Sequence, residues 1–186
     1  MRIITGIARG AKLMTLEGDN TRPTPERVKE AVFSMIQFDL EDANFLDLFA
    51  GSGQMGLEAL SRGAAKAHMI DRSPEAAAII RQNAEKTRLS DRASVMTSDA
   101  AEYIRSSKGR CKFDFVFLAP PYGSGLLHDS LAMLSDGKLL NDGAWIFAED
   151  EKNDPFDGDD DLAAKYEVVK ECGYGRVHIT VLKLRG

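Results

Sequence analysis

"DLFAGSGQMGLEAL", residues 47 to 60, reads as the end of a buried strand, a glycine-rich turn and the start of a helix. Gly51, Gly53 and Gly56 stand in a G-x-G-x-x-G register. Glycine lets a chain turn sharply and lets a ligand approach the backbone with no Cβ in the way, while the following helix offers unpaired N–H groups. A turn of this kind directly after a strand marks the first strand-to-helix junction of an open α/β sheet. Nicotinamide dinucleotide sites use the same glycines, so the ligand must be read from elsewhere.

The flanking segments repeat the pattern. Apolar runs at 45–50, 67–71, 93–99, 113–119 and 144–149 alternate with helix-like stretches, as in βαβ units around a parallel sheet. Ser73 before Pro74 supplies a cap and a first-turn proline for residues 74–89, and "LLHDSLAML" at 126–134 supplies another apolar face. Upstream, Thr24 is placed to cap a helix with Pro25 in its first turn. Val28, Ala31, Val32, Met35 and Ile36 then share one face. "RIITGIARGAKLMTL" (2–16) alternates enough for a short hairpin, so residues 1–40 are expected to form a hairpin-and-helix extension packed on the rest. Residues 166–184 read as a closing antiparallel hairpin that turns near Gly173 to Gly175. The acidic "DPFDGDDD" (154–161) reads as a surface loop; Pro155 and Ala164 stand where a calcium loop needs oxygen ligands.

The totals set limits. A chain of 186 residues, 44% hydrophobic, can bury one good core, so residues 1–186 are expected to form a single domain. No apolar run approaches the roughly 20 residues that cross a bilayer, and the start lacks the apolar core of a signal peptide, which points to the cytoplasm. Cys111 and Cys172 match no metal or redox spacing, and His68, His128 and His178 are scattered, so no metal is expected. The net charge of −5 is uneven: residues 149–161 carry −7, leaving +2 on the remainder. Local fields decide where a polyanion lands, so the total does not exclude a nucleic acid.

Three aspartates separate the ligands. Asp47 stands within the first strand, Asp71 ends the second and Asp99 ends the third. Asp71, 20 residues after Gly51, suits the two hydroxyls of a ribose, because a carboxylate accepts two hydrogen bonds at once. Asp99 suits an exocyclic adenine amine. Asp47 beside the turn favours an amine-bearing, positively charged group over a pyrophosphate. S-adenosylmethionine therefore fits better than NAD, although each aspartate alone could be a cap or turn residue.

Together "DLFAGSGQMGLEALSRGA", "MIDRS", "SDA", the "PPY" turn and the amino-terminal "NTRPTPERVKEAVFSMI" resemble the bacterial RsmD family, which methylates the exocyclic N2 of one guanine in 16S rRNA. The resemblance runs from the first residues to the closing hairpin, and its most specific element is the threonine-arginine-proline-threonine segment. It implies a Rossmann-like class I methyltransferase fold: a seven-stranded, mostly parallel sheet with an antiparallel C-terminal hairpin. S-adenosylmethionine would then lie on Asp47, Phe49, Ala50, Gly51 and Gly53, with Asp71 and Arg72 at the ribose and Ser98, Asp99 and Ala100 at the adenine. Thr21, Arg22, Pro23 and Thr24 would cover the cofactor, and Arg2, Arg9, Lys12, Arg22 and Arg27 would meet RNA. The implied partner is 16S rRNA in the small subunit or a late assembly intermediate, and the implied enzyme is a monomer.

The family's pattern at the proline turn is Asp or Asn, Pro, Pro, then Tyr or Phe; here it is Ala119, Pro120, Pro121, Tyr122. A guanine amine is a poor nucleophile, and acceptors that hold its N–H groups turn its lone pair toward the methyl. Tyr122 offers a stacking face for an extruded base. Ala119 keeps the backbone carbonyl and deletes the side-chain acceptor, which by analogy costs on the order of 10²–10³ in rate. The alternative is a catalytically weakened or inactive homologue that binds S-adenosylmethionine and RNA.

Overall fold

The computed structural model describes residues 1–16 and 23–186. Its strands β1 (Asn44–Asp47), β2 (Lys66–Asp71), β3 (Ala93–Thr97), β4 (Phe113–Leu118), β5 (Leu140–Asp150), β6 (Tyr166–Tyr174) and β7 (Val177–Leu184) form one sheet. The order is β3-β2-β1-β4-β5-β7-β6. β1 with β2, β2 with β3, and β4 with β5 pair in parallel; β5 with β7 and β6 with β7 pair antiparallel. This is the α/β sheet with a closing hairpin that the alternation of segments implied. The chain gathers into two compact units, Met1–Asp99 and Ala100–Gly186.

In the first unit, Phe45 and Leu46 of β1 and Ala67, Met69 and Ile70 of β2 are buried almost continuously, as expected of parallel strands covered on both faces. The covering helices include α2 (Gln54–Ser61) and α3 (Pro74–Lys86). Ser73 caps α3 by accepting from the Ala76 N–H at 3.2 Å, with Pro74 in the first turn, as its sequence signals. The preceding helix, α1 (Glu26–Ile36), starts one residue later than expected. Pro25 holds the N-cap position with an extended ψ of 147°, and the Thr24 carbonyl accepts from Gln54 Nε2 at 3.1 Å. The buried face of α1 carries Val28, Lys29, Val32, Phe33 and Ile36, while Ala31 and Met35 are half-buried. Phe33 sets that rotation: it stacks on Phe45 at 5.9 Å, with the Arg62 guanidinium 4.9 Å from its ring centre. The opening segment makes one antiparallel bridge, Arg2↔Lys12, in place of two full strands. Gly6 and Gly10 take positive φ and shorten the ladder into a loop.

In the second unit, α4 (Ala100–Ser107) and α5 (Leu126–Leu134) precede and follow β4. β5 begins at Leu140, earlier than the apolar run suggested, because its first residues include Asn141, Asp142 and Gly143. The acidic stretch is less of a loop than its composition implies. Asp154 closes a turn by accepting from Phe156 and Gly158 N–H groups, and Asp159 caps a short helix, α6 (Asp160–Ala163). Phe156 of that turn stacks on the buried Tyr166 at 5.8 Å, and the Tyr166 hydroxyl donates to the Leu131 carbonyl at 2.6 Å. The β6–β7 hairpin closes through Gly175, with φ +74°. Among the described residues, no helix is long and apolar enough to cross a membrane.

Candidate active site

The first unit brings the carboxyl ends of β1, β2 and β3 to one edge. Asp47 is the last residue of β1, Asp71 the last of β2, and Ser98 and Asp99 follow β3 directly. Asp47 is buried, Asp71 half-buried and Asp99 exposed. Phe49, Ala50, Gly51 and Gly53 form the turn after β1, and Arg72 is exposed after β2. The Ala50 N–H donates to the Ile70 carbonyl at 2.9 Å, and the Gly53 N–H to the Ala50 carbonyl at 2.7 Å, so the turn is docked on β2. Gly51 donates its N–H to Asp71 Oδ2 and Ser73 donates to Oδ1, both at 2.9 Å. One carboxylate thus ties the glycine turn to the start of α3, and each of its oxygens retains a second lone pair for a ligand's hydroxyls.

The three glycines have separate reasons. Gly51, at φ +54°, would carry a Cβ into open space, so its backbone faces a position a ligand can occupy. Gly53, at φ +79°, leaves no room: a Cβ would lie 2.9 Å from Ile80. At Gly56 it would lie 2.5 Å from Met69 Cγ, so α2 packs on β2 at glycine distance. The open face at Gly51 beside the Asp71 carboxylate accommodates a nucleoside with a ribose on Asp71.

A set of polar residues that local pattern did not single out holds the opening segment against this edge. Glu58, fully buried on α2, accepts from the Ile4 and Thr5 N–H groups at 2.8 and 3.0 Å and from Arg62 Nε at 2.8 Å; Lys29 Nζ lies 3.4 Å from it. Lys29 also donates to the Arg2 carbonyl at 2.6 Å, and burial lowers its ammonium from the usual lysine range against the attraction of Glu58. Ser61 donates to the Thr5 carbonyl and accepts from the Ala8 N–H. Asn83 exchanges two hydrogen bonds with the Met14 backbone and donates to the Ser52 carbonyl in the glycine turn. α2 and α3 therefore carry the turn and the amino-terminal segment as one construction.

Of the residues expected at RNA, Arg9 and Lys12 are exposed, and Arg27 is exposed on α1. Arg2 forms an exposed ion pair with Glu26 at 3.1 Å. Pro23 is exposed and Thr24 buried ahead of α1, whereas Thr21 and Arg22 lie outside the described residues.

The second unit carries Ala100 at the start of α4 and the proline turn after β4. Ala119 is half-buried, Pro120 buried, Pro121 exposed and Tyr122 half-buried. The Ser124 hydroxyl donates to the Pro121 carbonyl at 2.6 Å, and the Tyr122 hydroxyl donates to Glu149 Oε1 at 3.2 Å. Pro120 to Gly125, Leu127 and His128 line one side of a cavity of about 250 Å³, with Asp150, Glu151, Lys152, Asp154, Pro155 and Asp157 on the other. His128 Nε2 lies 3.0 Å from Asp159 Oδ2, a hydrogen bond that raises the imidazole above its ordinary value. Glu149 was part of a run read as solvated acid; it is buried and engaged with the turn.

Residues 1–183 match the family model described as "Conserved hypothetical protein 95". The "Ribosomal RNA small subunit methyltransferase D" of Haemophilus influenzae is 34% identical over 83% of this chain and 81% of its own length. The protein of the same name from Escherichia coli K12 is 38% identical over 81% and 75%. Among solved structures, a hypothetical protein of Thermus thermophilus superposes with a TM-score of 0.81 at 27% identity, covering 97% of this chain and 98% of that one.

Proposed function

The chain belongs to the "Conserved hypothetical protein 95" family, the RsmD family of ribosomal RNA methyltransferases, and from that premise we propose that it methylates the exocyclic N2 of a guanine in 16S rRNA. The methyl donor is S-adenosylmethionine, which supplies a methyl already activated by its sulfonium. The observation that carries this reading is the pairing of an open Gly51 backbone with the Asp71 carboxylate that grips it. Asp71 receives the ribose hydroxyls, Asp99 and Ala100 border the adenine, and Asp47 faces the amino-acid end. The base stacks on Tyr122, and backbone carbonyls of the proline turn hold the amine's N–H groups. Neither Pro120 nor Pro121 has an N–H to compete for those acceptors. The substrate is the small subunit or a late precursor, since a chain with few exposed cations beyond its first residues takes its specificity from target shape. Arg9, Lys12 and Arg27 contact phosphates, the enzyme acts as a monomer in the cytoplasm, and residues 1–186 work as one methyltransferase domain.

An active enzyme is the favoured reading of Ala119, because much of the acceleration comes from holding donor and acceptor in line. Labelled methyl transfer to small subunits lacking the modification tests it. The native chain is expected to transfer, and Ala119→Asp to transfer faster by as much as about 10²-fold. Calorimetry should show binding of S-adenosylmethionine and not of NAD; tight NAD binding would sink the cofactor assignment. No transfer by either protein would sink the substrate assignment.

A further inference from the structure

Tyr122 is held by a carboxylate from the neighbouring strand. Glu149 lies on β5, one residue beyond the Leu118↔Ala148 pair that joins β5 to β4, which places it at the register position across from Ala119. Its other neighbour is β7, where it pairs with Ile179. A backbone paired on both sides gives the side chain a fixed root. Glu149 is 5% exposed, and Ile146, Phe147 and Ala148 before it are fully buried or nearly so. A carboxylate withdrawn from water among such neighbours is costly unless hydrogen bonds compensate it, and the Tyr122 hydroxyl supplies one at 3.2 Å.

The turn itself offers Tyr122 little restraint. Ala119 has no polar side chain, Pro120 and Pro121 have no N–H, and Gly123 and Gly125 follow at φ +69° and +75°. A tyrosine on such a turn keeps two free side-chain torsions unless its far end is tied down, and a base stacked on a swinging ring is not held in line. We propose that Glu149 is a positioning residue for methyl transfer: through the hydroxyl of Tyr122 it fixes the ring plane on which the target base stacks. In this chain the anchoring of the turn falls to β5 because position 119 carries no polar side chain. The inference rests on the reading of Tyr122 as the stacking face.

Two measurements test it. In methyl-transfer assays on small subunits lacking the modification, Tyr122→Phe and Glu149→Ala should each lower kcat about tenfold, with the KM for S-adenosylmethionine unchanged. Glu149→Gln, which keeps an acceptor oxygen, should recover most of the rate. The Tyr122→Phe/Glu149→Ala double variant should be no slower than the slower single, because both remove one contact. Additive losses, or a native kcat in Tyr122→Phe, would overturn the proposal; the latter requires no variant of the buried carboxylate. Separately, the fluorine resonance of 3-fluorotyrosine at Tyr122 should shift in Glu149→Ala, and an unmoved resonance would also overturn it. That signal needs no turnover: a shifted resonance in a chain that methylates no subunit supports the anchor and faults the substrate assignment instead.

Discussion

Gly51, Gly53 and Gly56 look alike in the sequence and differ in what a methyl group would do at each. At Gly51 a Cβ enters open space, so Gly51→Ala costs the strain of φ +54°, about 1 kcal/mol, and places a methyl where the cofactor would lie. It should melt close to the native protein and bind S-adenosylmethionine at least about tenfold more weakly. Gly56→Ala gains helix propensity but drives a Cβ to 2.5 Å from Met69 Cγ, near the root of a fully buried side chain. Overpacking of this kind costs about 1–3 kcal/mol and leaves the turn's open face alone. The second variant should therefore lose stability and keep affinity in its folded fraction. Paired melting curves and calorimetry decide the matter: unchanged affinity in Gly51→Ala would remove the ligand from that backbone. The trio was legible as a pattern because spacing is local. Which glycine serves a ligand and which serves packing was not, since Ile80 and Met69 come from later elements.

At the scale of elements, the opening segment has almost no ladder of its own and is held by α2 and α3. Glu58 receives two of its backbone N–H groups and compensates the buried Lys29. Glu58→Ala would leave that ammonium without its carboxylate, a change that typically costs about 3–5 kcal/mol. Asn83→Ala would strand the Met14 N–H and C=O and free the Ser52 carbonyl, at about 1–3 kcal/mol. Urea denaturation should show both losses, the first larger, and a native midpoint in Glu58→Ala would refute the role given to it. These residues escaped the sequence reading for a physical reason. Glu58 sits in a helix whose glycine turn commands attention, and its partners are 53 and 54 residues away. Periodicity likewise placed Ala31 and Met35 on the buried face of α1 but could not foresee that Phe33 would rotate toward Phe45 and take Lys29 inward. The strands, α3 with its Ser73 cap, α5 and the closing hairpin were legible because their signals lie within a few residues of the structure they specify.

For the molecule as a whole, two histidines set opposite pH limits on stability. Burial, with Lys66 adding to it, pushes His68 down to about 4. An unfolded chain protonates it near 6.5, so between pH 6.5 and about 4 the unfolded state binds a proton the folded state refuses. Stability must fall as pH drops through that window and level off below it. His128 behaves in the opposite sense. Its hydrogen bond to Asp159 raises it against partial desolvation, and Asp129 adds to the rise. The stability it contributes is fully present below pH 6.5 and is lost as pH climbs through the raised value. Asp159 is held below the usual carboxylate range by the Leu162 N–H and then by His128, so its share is present above about 3.8 and is lost as pH falls through its lowered value. The ion pair is exposed and screened, which makes its effect the smaller one. Native stability should therefore decline on the acid side of pH 6.5 chiefly through His68. Subtracting the unfolding free energies of His68→Leu from those of the native chain at each pH isolates this contribution from every other carboxylate. The difference should slope with pH between 4 and 6.5, approaching one proton, and should be flat from 7 to 8. A flat difference through the acid window would show that His68 charges as readily inside the fold as outside it.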